Sequence, residues 1–292
     1  MKPNLPSRCE QLPIRGLRYN VRHWGAPDAP AVFFLHGWMD ASATFQFVVD
    51  ALAQDWHVIA PDWRGYGDSE WLGRAYWFPD YYGDLDALLA HYSPDRPVRI
   101  VGHSMGAAIS SIYAGARPER VSQLVMMDFL GLSTTKPDEA PGHIAHWLDE
   151  LRSEQPVRNY PSQDAFARRL RQVNPRLTEA RAAFLSRNVS RQLPDGQVSM
   201  AADPWHKVAS PVRYQVEDVM AGWRAIQAPV LMMLADQGYV VNRFKDQPDE
   251  VTRRLACFAT MERATITDAG HNVQHDQPEQ VAAAIEAFLR RD

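Results

Sequence analysis

The sequence predicts an α/β protein: a mostly parallel, doubly wound sheet with helices on both faces, interrupted once by an inserted helical cap. Three observations carry this expectation. Largely apolar runs at residues 31–35, 56–60, 98–101, 121–127 and 229–234 have the length and composition of strands buried on both faces. Helical patterns separate them, as parallel strands require, because a crossover must return the chain to the starting edge of the sheet. The alternation stops between residues 131 and 228 and then resumes. The expected organisation is a core of residues 1–130 and 229–292, with a helical cap of residues 131–228.

Residues 10–24 read as two strands joined at Arg15-Gly16. After the run at 31–35 comes His36-Gly37-Trp38-Met39-Asp40. Ser42 is then placed to cap a helix reaching Leu52, with Phe45, Val48, Val49 and Leu52 on one face. The strand at 56–60 runs into a turn-rich loop over residues 61–69, where Asp62 and Asp68, like Asp40 before them, read as turn and cap residues. Tyr82, Leu85, Leu88 and Leu89 mark a helix over 79–91, and the helix after residue 104 stops before Pro118. The insertion shows helical spacing at Ile144, Trp147, Leu148 and Leu151, at Phe166, Leu170 and Val173, and at Val216, Val219, Met220 and Trp223, with no convincing buried strand. Residues 264–267 give the last strand, and residues 278–289 the last helix, with Pro278 at its start.

Composition excludes several classes. A net charge of −4 offers no basic face for nucleic acid or an anionic membrane. The densest basic cluster, Arg168, Arg169 and Arg171, has acidic residues on either side in sequence and reads as a solvated helix face. Cys9 and Cys257 lie far apart without a Cys-x-x-Cys pair, so neither a zinc site nor a disulfide framework is indicated. There is no apolar leader and no run of membrane-spanning length, so the expectation is a soluble, cytoplasmic monomer or homodimer. His143/His146 and His271/His275 have helix-compatible spacings but no nearby third ligand, and Arg64-Gly65-Tyr66-Gly67 does not complete a dinucleotide fingerprint. No metal and no organic cofactor is expected.

The chemistry-bearing stretch is Val98-Arg99-Ile100-Val101-Gly102-His103-Ser104-Met105-Gly106, a short strand ending in Gly-x-Ser-x-Gly with a small-residue helix behind it. Strand, strained turn and helix together expose a serine hydroxyl, and the flanking glycines let helix and strand approach without a Cβ clash. His271, in Asp268-Ala269-Gly270-His271 after the last strand, is the candidate general base; His103 and His36 are weaker ones. Two backbone N–H groups, of Trp38 and Met105, are the candidate oxyanion hole. His36, Asp62, Ser104 and Asp128 all stand at carboxyl ends of strands, the rim where parallel sheets bind ligands. The blander alternatives are a helix-capping serine at 104 and a surface loop histidine at 271.

These residues make the chain resemble the α/β-hydrolase superfamily over essentially its whole length. The matches are His36-Gly37, Asp62 with Arg64-Gly65-Tyr66-Gly67-Asp68-Ser69, Gly102-His103-Ser104-Met105-Gly106, and Gly270-His271 followed by Pro278-Glu279. In most such proteins the acid follows the penultimate strand in a pattern like Gly-x-x-Asp. Here Gly238 stands where that aspartate belongs, and Asp236 comes two residues early. Some branches place the acid after the strand that follows the serine helix, and Asp128 stands there. Leu35-His36-Gly37-Trp38-Met39-Asp40, Asp203-Pro204 and Ser210-Pro211-Val212-Arg213-Tyr214 are similar to the serine hydrolase-like proteins, a branch that also lacks the late aspartate. The resemblance implies a Ser104–His271–Asp128 triad. Asp236 is the alternative acid, and a plain capping role for Asp128 stays open.

The expected activity is hydrolysis of a small apolar carboxylic ester, or a related acyl compound, through an acyl-enzyme on Ser104. A serine there argues against the dehalogenase and epoxide-hydrolase chemistries of the same fold, which use an aspartate. Lactone and C–C bond hydrolysis, and a ligand-binding protein of the same fold with little turnover, are the alternatives. Trp147, Trp205 and Trp223 are placed either in ordinary cap packing or around an apolar substrate pocket.

Overall fold

A period-two alternation hidden inside the largely apolar runs organises the molecule, whose computed structural model describes residues 3–290. In chain order the first strands are β1 (Arg8–Ile14), β2 (Leu17–Trp24), β3 (Ala31–Leu35), β4 (His57–Pro61), β5 (Val98–His103) and β6 (Val121–Met127). Among them lie the short helix α1 (Gln46–Val49), then α2 (Asp80–Tyr92) and α3 (Met105–Ala116). The segment after β6 holds α4 (Ala140–Arg152), β7 (Asn159–Tyr160), α5 (Gln163–Val173), α6 (Glu179–Asn188), β8 (Ser190–Gln192), β9 (Val198–Met200) and α7 (Val216–Arg224). The chain then returns through β10 (Val230–Ala235), α8 (Tyr239–Arg243), α9 (Pro248–Leu255), β11 (Met261–Ile266), α10 (Val273–Asp276) and α11 (Pro278–Leu289).

Eight strands form one sheet in the order β1-β2-β4-β3-β5-β6-β10-β11. The pairs β1/β2 and β2/β4 are antiparallel, and the rest are parallel. Successive side chains on a strand face opposite sides, and both sides here are covered. Ile100, Leu124, Met126, Met232 and Leu234 pack with α2, α3, α7 and α9 on one face. Val101, Val125, Met127, Leu231, Met233 and Ala235 pack with α1, α10 and α11 on the other. This is why the central strands carry no polar alternation. The register pairs His103 with Met127, and Met127 with Met233, so Ser104 and Asp128 leave the sheet side by side at one rim, level with Leu234 near the end of β10.

The opening hairpin turns at Arg15 (φ 45°) and Gly16 (φ 82°), two consecutive left-handed residues as a type I′ turn needs. Its partner loop after β4 is knitted to the core by charge. The Asp84 carboxylate, fully buried on α2, accepts from Arg64 Nε (2.5 Å) and Nη2 (2.6 Å), from Arg15 Nη1 (3.0 Å), and from the Tyr19 hydroxyl. Asp62 takes the N–H groups of Ser42 (2.7 Å) and Asp68 (3.0 Å) and the Asn20 side chain (2.8 Å), the expected turn role.

Three expectations change. Ser42 caps nothing; a 3₁₀ turn over Ser42–Phe45 precedes α1 with Ala41 at its N-cap, and the N-cap side chain makes no capping bond. The segment between β6 and β10 contains a three-stranded sheet, β7-β9-β8, missed because strands of two or three residues are shorter than any periodic window. Helix α6 was also missed, although Thr178 caps it by accepting from Arg181 N (3.2 Å). Of the two roles open to Trp223, it takes the packing one. It is fully buried, stacks on Phe258 and donates from Nε1 to Ser111 Oγ (3.0 Å), which packs α7 on α3.

Candidate active site

Ser104 joins β5 to α3 with φ 50° and ψ −111°, a strained backbone for a residue with a Cβ. The surroundings enforce it. A Cβ on Gly106 would stand 2.1 Å from the Leu35 carbonyl oxygen, and one on Gly102 would stand 2.6 Å from Ala107 N. Ser104 N–H donates back to the Met127 carbonyl (3.0 Å), so the turn is tied to β6 and the hydroxyl is left at the rim.

His271 meets that hydroxyl. Its Nε2 lies 2.9 Å from Ser104 Oγ, and its Nδ1 lies 2.8 Å from Asp128 Oδ2. A carboxylate at Nδ1 holds the proton there, which leaves Nε2 bare to accept from the serine. Asp128 follows β6 directly, with φ 47° and no solvent exposure. Its Oδ2 also accepts Tyr239 N–H (2.6 Å) and its Oδ1 accepts Ala235 N–H (3.3 Å). Gly238 explains the shape of this corner. A Cβ there would stand 2.4 Å from Asp128 Oδ2 and 2.5 Å from Oδ1. The position therefore holds glycine because the Asp128 carboxylate occupies the space.

Asp236 does not touch the imidazole. Its carboxylate grips the backbone of the histidine loop, accepting from Asp268 N (2.9 Å) and Ala269 N (3.0 Å), and those two bonds hold it below the usual carboxylate range. A second carboxylate, Asp276, accepts Gly270 N–H (2.8 Å) and is itself bonded by Asn174 Nδ2 (2.6 Å), a residue from the segment between β6 and β10. Nothing in the motif pattern points to Asn174 or Asp276, because their role is to hold backbone across a long sequence gap.

The two other histidines at the rim are structural. Burial pushes His36 down to about 4; its Nδ1 donates to the Gly37 carbonyl (2.8 Å) and its Nε2 accepts from Trp63 N (2.9 Å). It thereby fixes the turn carrying Trp38. His103 is pushed well down by burial and by neighbouring His271, and its Nε2 donates to the His271 carbonyl (2.8 Å). Gly37 lies so close to the serine that a Cβ on it would be 3.2 Å from Ser104 Cβ, which puts the following residue, Trp38, beside the nucleophile turn. Met105 opens α3, where N–H groups are unpaired within the helix and the dipole is positive. The Trp38 side chain is 55% exposed at this rim. His143 and His146 lie on α4, His146 being exposed and paired with Glu150 (3.3 Å), and among the described residues no three His, Cys, Asp or Glu side chains are grouped to hold a metal.

A family model of the alpha/beta hydrolase fold matches residues 30–278. The chain belongs to that family. Within the family, this hydrolase is 28% identical over 292 residues to a serine hydrolase-like protein of Danio rerio, covering 96% of this chain and 87% of the relative. It is 27% identical to a 3-hydroxybutyrate-oligomer hydrolase of Cupriavidus necator, covering 93% of this chain and 92% of the relative. The thioesterase domain from the curacin biosynthetic pathway shares its fold, with a TM-score of 0.85 at 24% identity over 97% of this chain and 99% of that one. No helix among the described residues is long and apolar enough to cross a membrane.

Proposed function

We propose that this α/β hydrolase cleaves a carboxylic ester, or a related acyl compound, through an acyl-enzyme on Ser104. One observation carries the reading: the imidazole of His271 bridges Ser104 Oγ and the buried Asp128 carboxylate at 2.9 and 2.8 Å. His271 Nε2 takes the hydroxyl proton as Oγ attacks the acyl carbon, and Asp128 stabilises the imidazolium. The N–H groups of Trp38 and Met105 receive the oxyanion. Collapse expels the alkoxide, which leaves with the proton from His271. Water then gives a proton to His271 and its oxygen to the acyl carbon, and the second collapse returns the proton to Ser104 and frees the acid.

Residues 131–228 are proposed as a cap that covers the substrate. This is supported by the antiparallel bridge from Ala202 to Tyr66 on the loop after β4 and by the bond from Asn174 to Asp276, the α10 carboxylate that holds Gly270 N–H. The exposed Trp38 ring and the half-buried Met39 beside it favour an apolar acyl or aryl group of short to medium length. The relative named a 3-hydroxybutyrate-oligomer hydrolase points the same way.

The test is labelling of the native protein by a fluorophosphonate probe, with turnover of p-nitrophenyl esters from acetate to octanoate. Both are expected, and both are expected to vanish in Ser104→Ala. Labelling and turnover that survive in Ser104→Ala would sink the proposal.

A further inference from the structure

The stretch from the end of α5 into α6 touches the histidine loop at several points that the proposed reaction does not use. Asn174, which closes α5, donates from Nδ2 to Asp276 Oδ1 (2.6 Å), and the other Asp276 oxygen accepts Gly270 N–H (2.8 Å). Arg176 donates from Nη2 to Gln237 Oε1 and sets its Nε 3.5 Å from Asp268 Oδ1. Its Nη1 lies 3.4 Å from where a Cβ on Gly270 would stand. Arg181 donates from Nη1 to the carbonyls of His275 (3.1 Å) and Asp276 (3.3 Å). This stretch is itself anchored, because Leu177 and Leu185 are buried in one apolar cluster with Phe47 of α1, whose ring stands edge-on to His275. Farther along, the cap is fastened to the opposite side of the site. The buried Asp203 accepts the Tyr76 hydroxyl (2.8 Å), and the His206 ring stacks between those of Tyr66 (3.9 Å) and Tyr76 (3.6 Å). Tyr66 in turn packs edge-on against His36, the histidine that fixes the turn carrying Trp38.

We propose that Asn174 and Arg176 are positioning residues for His271, and that through them the cap holds the base in register with the oxyanion turn. The inference rests on the triad reading above, and it gives the cap a task beyond covering substrate. The loop before His271 needs outside support. Asp268 holds a left-handed backbone (φ 52°), and the N–H groups of Asp268, Ala269 and Gly270 all end on carboxylates instead of on a strand. A carboxylate fixes backbone only where the carboxylate is itself fixed. Asp128 and Ser104 orient the imidazole ring, but the backbone that carries it is held by Asp236 and Asp276, and Asn174 aligns the second of these. Without that amide the Asp276 carboxylate is free to turn, Gly270 moves with it, and His271 Nε2 drifts from Ser104 Oγ. Such a misplacement slows proton transfer without weakening substrate binding.

The experiment measures kcat and KM on p-nitrophenyl acetate and octanoate, with active Ser104 counted by fluorophosphonate and folding followed by thermal unfolding. Asn174→Asp, which sets two carboxylates against each other, is expected to lose about tenfold in kcat, equally for both esters and with KM steady. Adding Asp276→Asn exchanges donor and acceptor: the new amide nitrogen bonds the new carboxylate, and the amide oxygen keeps Gly270 N–H. The exchanged pair is expected to recover to within about threefold of native kcat. Arg176→Ala is expected to lose about fivefold in kcat, whereas Arg168→Ala, at an exposed arginine of α5, stays native. A stretch that merely walls the substrate would raise KM for octanoate and leave acetate alone. That pattern, native kcat in either Asn174→Asp or Arg176→Ala, or a loss that the exchange does not restore, overturns the proposal and leaves the triad standing. Turnover that survives in Ser104→Ala instead removes the triad reading, and the positioning role with it.

Discussion

Gly238→Ala is the smallest change that tests the unusual corner of this site. The added Cβ would stand 2.4 and 2.5 Å from the two Asp128 oxygens and 2.6 Å from Ala235 Cβ. That is roughly 1 Å short of ordinary contact. The backbone is not the obstacle, because Gly238 has φ −87°, which alanine adopts freely. The carboxylate has to give way, and its bonds to His271 Nδ1 (2.8 Å) and Tyr239 N (2.6 Å) cannot both survive. A misplacement of this size costs about 10²-fold, and complete loss of the acid about 10⁴-fold. Gly238→Ala is therefore expected to lose between about 10² and 10⁴ in kcat with little change in KM, at an overpacking cost of about 1–3 kcal/mol. The assay is ester turnover beside thermal unfolding. Gly142→Ala is the control, since a Cβ at that α4 position meets nothing within 4 Å. A folded Gly238→Ala protein with native kcat would refute the argument that Asp128 fills this space for the reaction.

Three further expectations are cheaper to check. Asp128→Asn is expected to lose about 10⁴ in kcat because the histidine tautomer is no longer held, whereas Asp236→Asn, which only loosens the grip on Asp268 and Ala269, loses about tenfold or less; equal losses in side-by-side kinetics would exchange the two assignments. Asp84→Asn leaves the buried Arg64 guanidinium with Asp80 (2.9 Å) as its remaining carboxylate and is expected to cost about 1–3 kcal/mol, read from urea midpoints; an unchanged midpoint would show the pair to be dispensable. Burial pushes His36 and His57 down to about 4 and His275 to about 3. The unfolded chain takes up these protons near pH 6.5 and the folded one does not, so stability is full above that value and falls as pH drops towards 4. The cost is about 2 kcal/mol per histidine at pH 5, partly offset by Asp40, whose raised carboxyl runs the other way. A urea midpoint that is flat from pH 7 to pH 5 would contradict it.

The core was legible because its strands are long, apolar and separated by long helices. Buried strands leave runs such as Ala31–Leu35 and Val121–Met127 that few other structures produce. The serine turn was legible for a different reason: Gly102 and Gly106 are demanded by contacts within a few residues of sequence, so the pentapeptide carries its own geometry. What the sequence hides is long-range. Whether Asp128 or Asp236 faces His271 depends on how β6 and β10 pair, and that register is fixed by the whole sheet. Gly238 read as a missing aspartate, yet it is the space that Asp128 requires. Gln274, Asn174 and Asp276 left no signal because their partners lie far away along the chain. Ser42 misled for the opposite reason: a good capping residue stood where the chain made a 3₁₀ turn, with its N–H already bound by Asp62.

The side-by-side exit of Ser104 and Asp128 from β5 and β6 bears on how this enzyme could be taken apart. Both residues, together with the turn carrying Trp38, precede the segment between β6 and β10, and only His271 follows it. A backbone cut inside that segment would divide the molecule into one piece bearing the proposed nucleophile, acid and oxyanion donors and a second piece bringing the proposed base. Turnover would then report whether β10 had docked beside β6, since the same strand delivers Gly238 and the Tyr239 amide to the acid. The loop after β10, relieved of presenting a carboxylate to the imidazole, would be free to vary apart from that glycine, that backbone N–H and Asp236, which holds the backbone of the histidine loop.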